Sequence, residues 1–363
     1  MPDWTASMEQ SFEYYTVEPT TLADIKRLDM VKKASFGRDL EAETLGSATI
    51  DVTNSTGEKY IRGYLKTIQN GVTEKFPLGT VLSQTPSSSF NGKILDVSMD
   101  CYTPLIELKE KSPPIGYTVR KGANIMDEAY RIMSSSDVDK NGNEYKRCRV
   151  PVEKVDCETI LQYDVVANTD DTWLSFIIYL ISNASYELRL GEKGNVYFAP
   201  KQKLESLQPI WTFDDSNSSI LYPDISVNHD LYGIPNQIEV IYSHGHSLMT
   251  SIVTNSDPNS VTSTVNRGRI IPYKDTDPSI RGYTTQEQLD TYAEKKLKEL
   301  SVLEYTVSFT HAYCPVRIGD CVRLDYKKAG INGVKAKIIS QNIKAEPGCP
   351  VSAKAVFTSR LWE

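Results

Sequence analysis

The chain has 363 residues, long enough for two or three domains with cores of their own. Hydrophobic residues make up 40% and charged residues 24%, ordinary values for a globular protein. The net charge of −7 argues against a nucleic-acid binder, which would carry a basic patch, but not against a surface past which nucleic acid slides without sticking.

Residues 1–46 are mixed. Tyr14 to Val17 reads as a short strand. Leu22, Ile25 and Leu28 have helical spacing, although in a β-rich chain the segment Leu22–Val31 reads equally well as irregular. From Ser47 to Asn54 the pattern alternates, with Ala48, Ile50 and Val52 on one face. Turn residues Ser55 to Glu58 lead into a hairpin, Tyr60 to Leu82, whose Asn70-Gly71 suits the positive φ angles of a tight turn. Pro77 removes a ladder donor, and Gly79 points to a bulge or a close backbone approach. The second hairpin strand is therefore placed near a sheet edge, open to a partner strand or chain. Residues 83–92 read as a polar loop, and Leu95, Val97 and Met99 mark the next strand. Thr103-Pro104 opens a short helix, Leu105 to Glu110. Together these elements make a small antiparallel barrel or sheet closed off by a helix.

At Gly116 the pattern changes. A short strand precedes a helix from about Asn124, with Ile125, Ala129, Ile132 and Met133 as its apolar stripe. A charged loop follows, Asp137 to Arg147. The capping cluster Asn168–Thr172 opens a second helix, Trp173 to Asn183, apolar nearly all round and hence buried. Its apolar run is far too short to span a membrane. Tyr186–Leu190 and Val196–Pro200 form a hairpin. Ile220 to Tyr242 suggests two strands, and residues 244–268 an exposed loop or weak hairpin. Thr284 to Ser301 is an amphipathic helix, with Leu289, Ala293, Leu297 and Leu300 on one face. The tail reads as four strands: Glu304–Ala312, Arg317–Tyr326, Val334–Lys344 and Val351–Leu361. They form a second barrel-like unit.

Few residues suggest chemistry. His244 and His246 form the one histidine pair, without a third metal ligand nearby. His311 reads as a packed strand residue. Asp137, Asp139, Asn141 and Gly142 are spaced as in a calcium loop, but the twelfth position is Cys148 rather than glutamate. None of the six cysteines lies in a CxxC pair. MPDWTASMEQ is no signal peptide, so free thiols are expected, with a Cys314–Cys321 bridge disfavoured. A Cys–His pair using Cys314 or Cys157 would need the fold to assemble it. No cofactor motif is present.

The order of elements resembles the tail hub family of phages: the baseplate hubs of contractile tails, the N-terminal part of tail-associated proteins in non-contractile tails, and the base of type VI secretion spikes. The resemblance rests on Glu74–Thr80, Tyr117–Met133 with its Lys121-Gly122 turn, Tyr186–Pro200, Ile234–Ile238 and Arg317–Val322. It implies a mainly β fold with α/β insertions: two antiparallel tube-type barrel domains plus helix-and-hairpin domains. The expected divisions are 1–112 (first barrel), 113–210 (α+β insertion), 211–283 (strand-rich connection) and 284–363 (linker helix and second barrel).

The resemblance further implies a structural, non-enzymatic homotrimer in the phage virion, assembled in the host cytoplasm. Its six barrels would meet the six-fold tail tube or distal tail protein. Its three-fold side would meet a spike, fibre or tail-tip protein. The tape measure protein and passing DNA would be further partners, the latter without specific binding, and no membrane anchor is expected. Three copies would carry three times −7, or −21, and a lumen of that sign would repel DNA. Interface residues are expected at Phe76, Pro77, Leu78 and Gly79 in the first barrel and at Ile318, Gly319 and Val322 in the second, where two edges would meet within or across chains. The competing readings are a cell-wall or polysaccharide hydrolase and a carbohydrate-binding β module.

Overall fold

The computed structural model describes residues 2–53, 57–90, 92–93, 95–244, 247–276, 278 and 285–358. The N-terminal unit has seven strands, β1 (Glu9–Glu18), β2 (Ala23–Arg27), β3 (Val31–Asp39), β4 (Gly46–Val52), β5 (Tyr60–Gln69), β6 (Val72–Phe90) and β7 (Leu95–Tyr102), followed by the short helix α1 (Ile106–Lys109). An inserted region holds β8 (Thr118–Val119), α2 (Ile125–Ser134), β9 (Ser136–Val138), β10 (Glu144–Lys146), β11 (Val165–Val166), α3 (Trp173–Ser182), β12 (Tyr186–Leu190) and β13 (Val196–Pro200). Next come β14 (Trp211–Asp214), β15 (Leu221–His229), β16 (Gln237–His244), β17 (Ser247–Thr254), α4 (Thr264–Arg267), β18 (Pro272–Asp275) and α5 (Gln286–Leu300). The chain finishes with β19 (Glu304–Ala312), β20 (Cys321–Asp325), β21 (Val334–Lys344) and β22 (Pro350–Thr358).

One sheet runs through both β units, in the order β15-β19-β22-β21-β3-β4-β7-β6-β5-β1-β2, with β20 and β14 branching from β21. Among the described residues no closed barrel forms, and the strand order ends at β15 on one side and β2 on the other. The units join where β21 pairs antiparallel with β3, from Ser340 opposite Asp39 to Lys344 opposite Ser35. One hydrophobic core serves both, with Phe36, Ile50, Leu65 and Leu78 from the first unit and Val307, Phe309, Val322 and Ile338 from the second.

The inserted region has a second core around α2 and α3, shared with Val17, Leu45, Tyr60 and Leu82 of the first unit. Thr172 and Ser175 form a capping box on α3, and Asn124 accepts hydrogen bonds from Met126 and Asp127 at the start of α2. Both starts lie where the sequence puts them. The third core is small. Leu289, Ala293 and Leu297 of α5 pack on Ile238, Val240 and Tyr242, so α5 belongs with β16–β18 and not with the terminal strands.

Four expectations need correction. Leu22–Val31 is not helical: Leu22 turns at φ 56°, Ala23–Arg27 is an exposed strand, and Val31 opens β3. Residues 83–90 continue β6 instead of looping, because backbone pairing with β7 holds this stretch while its last six side chains stay exposed. Residues 247–254 form a full strand against β16. Finally, β6 is no edge, since it lies between β5 and β7. Pro77 is tolerated there because the register shifts beside it: Gly63 faces Gly79 and Tyr64 faces Pro77, which leaves Leu78 as the extra, bulged residue.

Candidate assembly surface and inter-unit junction

The turn at Asn70-Gly71 has the two positive φ angles, 53° and 77°, that suit a tight hairpin. Farther along that hairpin Gly63 and Gly79 face each other across β5 and β6. The Phe36 ring of β3 covers both: a Cβ on Gly63 would lie 2.4 Å from its Cζ, and one on Gly79 would lie 3.1 Å from Cδ1. Gly79 is thus a site of close approach, by the strand that joins the two units.

The expected interface residues converge on this junction within a single chain. Leu78 and Val322 are fully buried in the shared core and have no side chain to offer a partner. Phe76 is half-buried against Trp4, at 4.9 Å between ring centroids, and Tyr313, at 6.4 Å. Arg38 Nη2 donates to the carbonyls of the buried Pro77, at 3.4 Å, and of Leu78, at 2.8 Å. The Ile318 carbonyl accepts from Arg189 Nη1 at 3.0 Å. Gly319, at φ 90°, lies under the Arg189 guanidinium, where any Cβ would collide at 2.2 Å. Arg189 of the β12–β13 hairpin therefore covers Ile318 and Gly319 from within the chain.

The same hairpin also grips the first unit. Buried Arg62 donates from Nη2 to Lys193 O at 2.7 Å, from Nε to Thr80 Oγ1 at 2.8 Å, and pairs with Asp24 at 2.8 Å. Gly194, at φ 95°, allows this contact, because a Cβ there would meet Thr80 Cβ at 2.8 Å.

On the face of the sheet away from the shared core, the two units present a continuous polar surface. One cross-strand row runs Thr310, Ser352, Asn342, Gly37 and Ser47, straight through the junction. A neighbouring row runs Lys344, Ser35, Thr49, Asp100 and Thr85. These positions are exposed or half-buried, while alternate residues such as Phe36, Ile50 and Ile343 enter the core. Hydroxyls dominate, and the charges on this face come in both signs, with Lys33, Lys344 and Lys354 beside Asp39, Asp51 and Asp100. The acidity of the whole chain is not concentrated here.

Of the residues that suggest chemistry, Cys314 and His311 come together, but not as a reactive pair. Cys314 Sγ does lie 3.9 Å from His311 Nδ1. Both groups are buried, however, and burial pushes the thiol up to about 12 and the imidazole down to about 4. Both shifts oppose a thiolate–imidazolium pair. His311 instead packs against Phe213, with ring centroids 4.6 Å apart and the planes tilted by 45°, and its Nδ1 donates to Ala312 O at 2.7 Å. Cys157 pairs with Thr159 Oγ1 at 3.2 Å. The calcium-like loop is the turn of the β9–β10 hairpin, where the Asp139 carboxylate accepts from the amides of Asn141 and Asn143 and from Asn143 Nδ2. All six cysteines are free. Among the described residues no group of three or more His, Cys, Asp and Glu is placed to hold a metal. His246 and the side chain of His244 lie outside the described residues.

No family model matches the sequence, and no curated protein matches it. Solved structures do share the fold. A tail protein from Neisseria meningitidis aligns at TM-score 0.64 and 10% identity, over 97% of this chain and 98% of its own. The 43 kDa tail protein of prophage MuSo2 from Shewanella oneidensis aligns at 0.62 and 12% identity, over 96% and 98%. The PdpA–VgrG complex of Francisella contains a chain aligned at 0.55 and 8% identity, over 97% of this chain and 53% of that one. The fold is thus one that tail proteins adopt, the class that the sequence resembles.

Proposed function

We propose that this chain is a structural component of a phage tail, a hub that joins the six-fold tail tube to a three-fold spike or fibre. The observation that carries this reading is the open sheet. Two β units are already fused edge to edge through β3 and β21, and a strand with one free flank stands at each end, β2 and β15, with β14 a further free flank on the branch. Two different edges on one chain favour head-to-tail association, which closes into a ring when the rotation permits. Three copies of two units supply six lobes. The edges that meet between chains are β2 and β15, in place of the Phe76 and Val322 regions, which the junction consumes.

In this arrangement the polar face lines the channel. Its hydroxyls and offset charges offer DNA few unpaired cations, and phosphate binding depends on such cations. Low adhesion then comes from this local neutrality rather than from net acidity. Both β edges carry features that discourage stray pairing. In β15 the register breaks between Leu221 and Ile225, around Pro223, and β2 carries Asp24, Lys26 and Arg27. A low-resolution image of the assembled particle is the direct test. Three chains with an inner ring of six lobes are expected; a two-fold or six-chain particle would overturn the reading.

A further inference from the structure

The small unit built on β16–β18 leaves one sheet face and one strand flank uncovered. Helix α5 packs on the face that carries Ile238, Val240 and Tyr242 of β16, with Met249 and Val253 of β17 beside them. The residues of the other parity in β17 stand in solvent. Leu248 is 69% and Ile252 62% exposed, and Thr250 and Thr254 are exposed with them. β17 pairs with β16 alone, at the end of the order β17-β16-β18. The phase of that ladder is fixed just past its end, where Asn255 N donates to Asn236 O at 2.7 Å. Bonded and unbonded pairs alternate in an antiparallel ladder. The register is unbroken from Gln237 opposite Thr254 to His244 opposite Ser247. Met249, Ser251 and Val253 therefore turn their amides and carbonyls to β16, and Leu248, Thr250, Ile252 and Thr254 turn theirs outward. Among the described residues one bond reaches these outward backbone groups: Gln286 Nε2 donates to Thr250 O at 3.0 Å.

Natural sheet edges are guarded by charge, proline, bulges or short length. β2 and β15 carry such guards. β17 carries none: its 8 residues include no charge, proline or glycine, and its register has no break. The residues that offer outward hydrogen bonds also offer Leu248 and Ile252. A strand laid beside them gains ladder bonds and apolar contact on one face together. A helix laid there would cover the outward amides without bonding them. The charges on the adjoining strands of that face, Glu239 and Lys274, already pair with each other at 2.9 Å, so an uncharged guest fits best.

We propose that β17 is a strand-addition site whose occupant is an extended segment of a different tail polypeptide, uncharged and with aliphatic residues opposite Leu248 and Ile252. The choice of a different chain rests on the hub reading. Self-pairing of β17 is isologous and joins copies two at a time, so a ring of three would leave one edge bare. A guest strand serves every copy alike.

The probe is a fluorescently labelled synthetic peptide of the β17 sequence, Ser247 to Thr254, with a lysine added at each end for solubility, read by anisotropy. The host is the Ile25→Asp chain, whose charge on β2 keeps copies from forming the ring. Saturable binding is expected. It should weaken about tenfold or more in Thr250→Pro, which removes an outward amide and spares the β16 ladder, and in Ile252→Lys, which sets a cation on the edge. Should Thr250→Pro lower the melting temperature, Ile252→Lys alone decides. Sedimentation of the host without peptide should show a monomer. No saturable binding, or binding undiminished in Ile252→Lys, overturns the strand site. A host dimer that Ile252→Lys dissolves makes a second copy the occupant and overturns the proposal. If the natural chain forms no ring while the monomeric host binds the peptide as expected, the hub reading falls and the strand site stands.

Discussion

Gly63 and Gly71 sit on the same hairpin, yet substitution should separate them sharply. Alanine at Gly71 meets open space and suffers only its positive φ of 77°, costing about 1 kcal/mol. Alanine at Gly63 must push into the Phe36 ring, and a larger loss of about 1–3 kcal/mol is expected, read by chemical denaturation of both variants. His311 gives a second prediction, in pH. Its folded value of about 4 lies below the 6.5 of a free imidazole, so between these values the unfolded chain holds the extra proton. The contribution of His311 is complete at neutral pH, is lost as pH drops from about 6.5 to 4, and changes no further below that. The loss is about 3 kcal/mol. His311→Phe, placed against Phe213 and Phe309, should flatten this part of the profile; an unchanged slope would show that other groups carry it.

At the level of elements, the calcium-like loop and the α3 cap make contrasting cases. The Asp139 carboxylate is occupied by its own turn, so calcium or a chelator should leave Tm unchanged, as differential scanning calorimetry would reveal. Removing the Thr172 hydroxyl by T172A should cost about 1 kcal/mol. Caps of this kind are local chemistry, which is why Asn124 and Thr172 could be read directly from the sequence, as could the Asn70-Gly71 turn and the alternation of Ser47–Val52. What could not be read was anything decided at long range. β3 contributes only Ala34 and Phe36 as strongly buried apolar residues, too few to announce a strand, although it is the strand that fuses the two units. The far end of β6 is held by backbone pairing and a Ser87 Oγ bond to Ser98 O, which leaves no hydrophobic pattern to find. Gly79 could be read as a bulge or a place of close approach, and Gly319 only as a turn and an interface position. Only the fold shows that the approaching groups, Phe36 and Arg189, belong to the same chain.

For the whole molecule, the assignment of free edges to β2 and β15 predicts which surface substitutions matter. Ile25 is 64% exposed on β2, so Ile25→Asp should leave the monomer fold and its melting intact while abolishing the ring in sedimentation experiments. Leu78→Asp should instead unfold the monomer, because its charge would enter the core. A ring unaffected by Ile25→Asp would remove β2 from the interface. The β3–β21 join also bears on how the molecule is made. Asp39 waits for Ser340, and synthesis at about 5–20 residues per second delays their meeting by roughly 15–60 s. Throughout that interval the nascent N-terminal unit carries a bare strand flank on the ribosome. Neighbouring chains on one messenger are therefore its first available partners, and slowing translation should increase aggregation of the newly made protein more than any loss of finished stability would suggest.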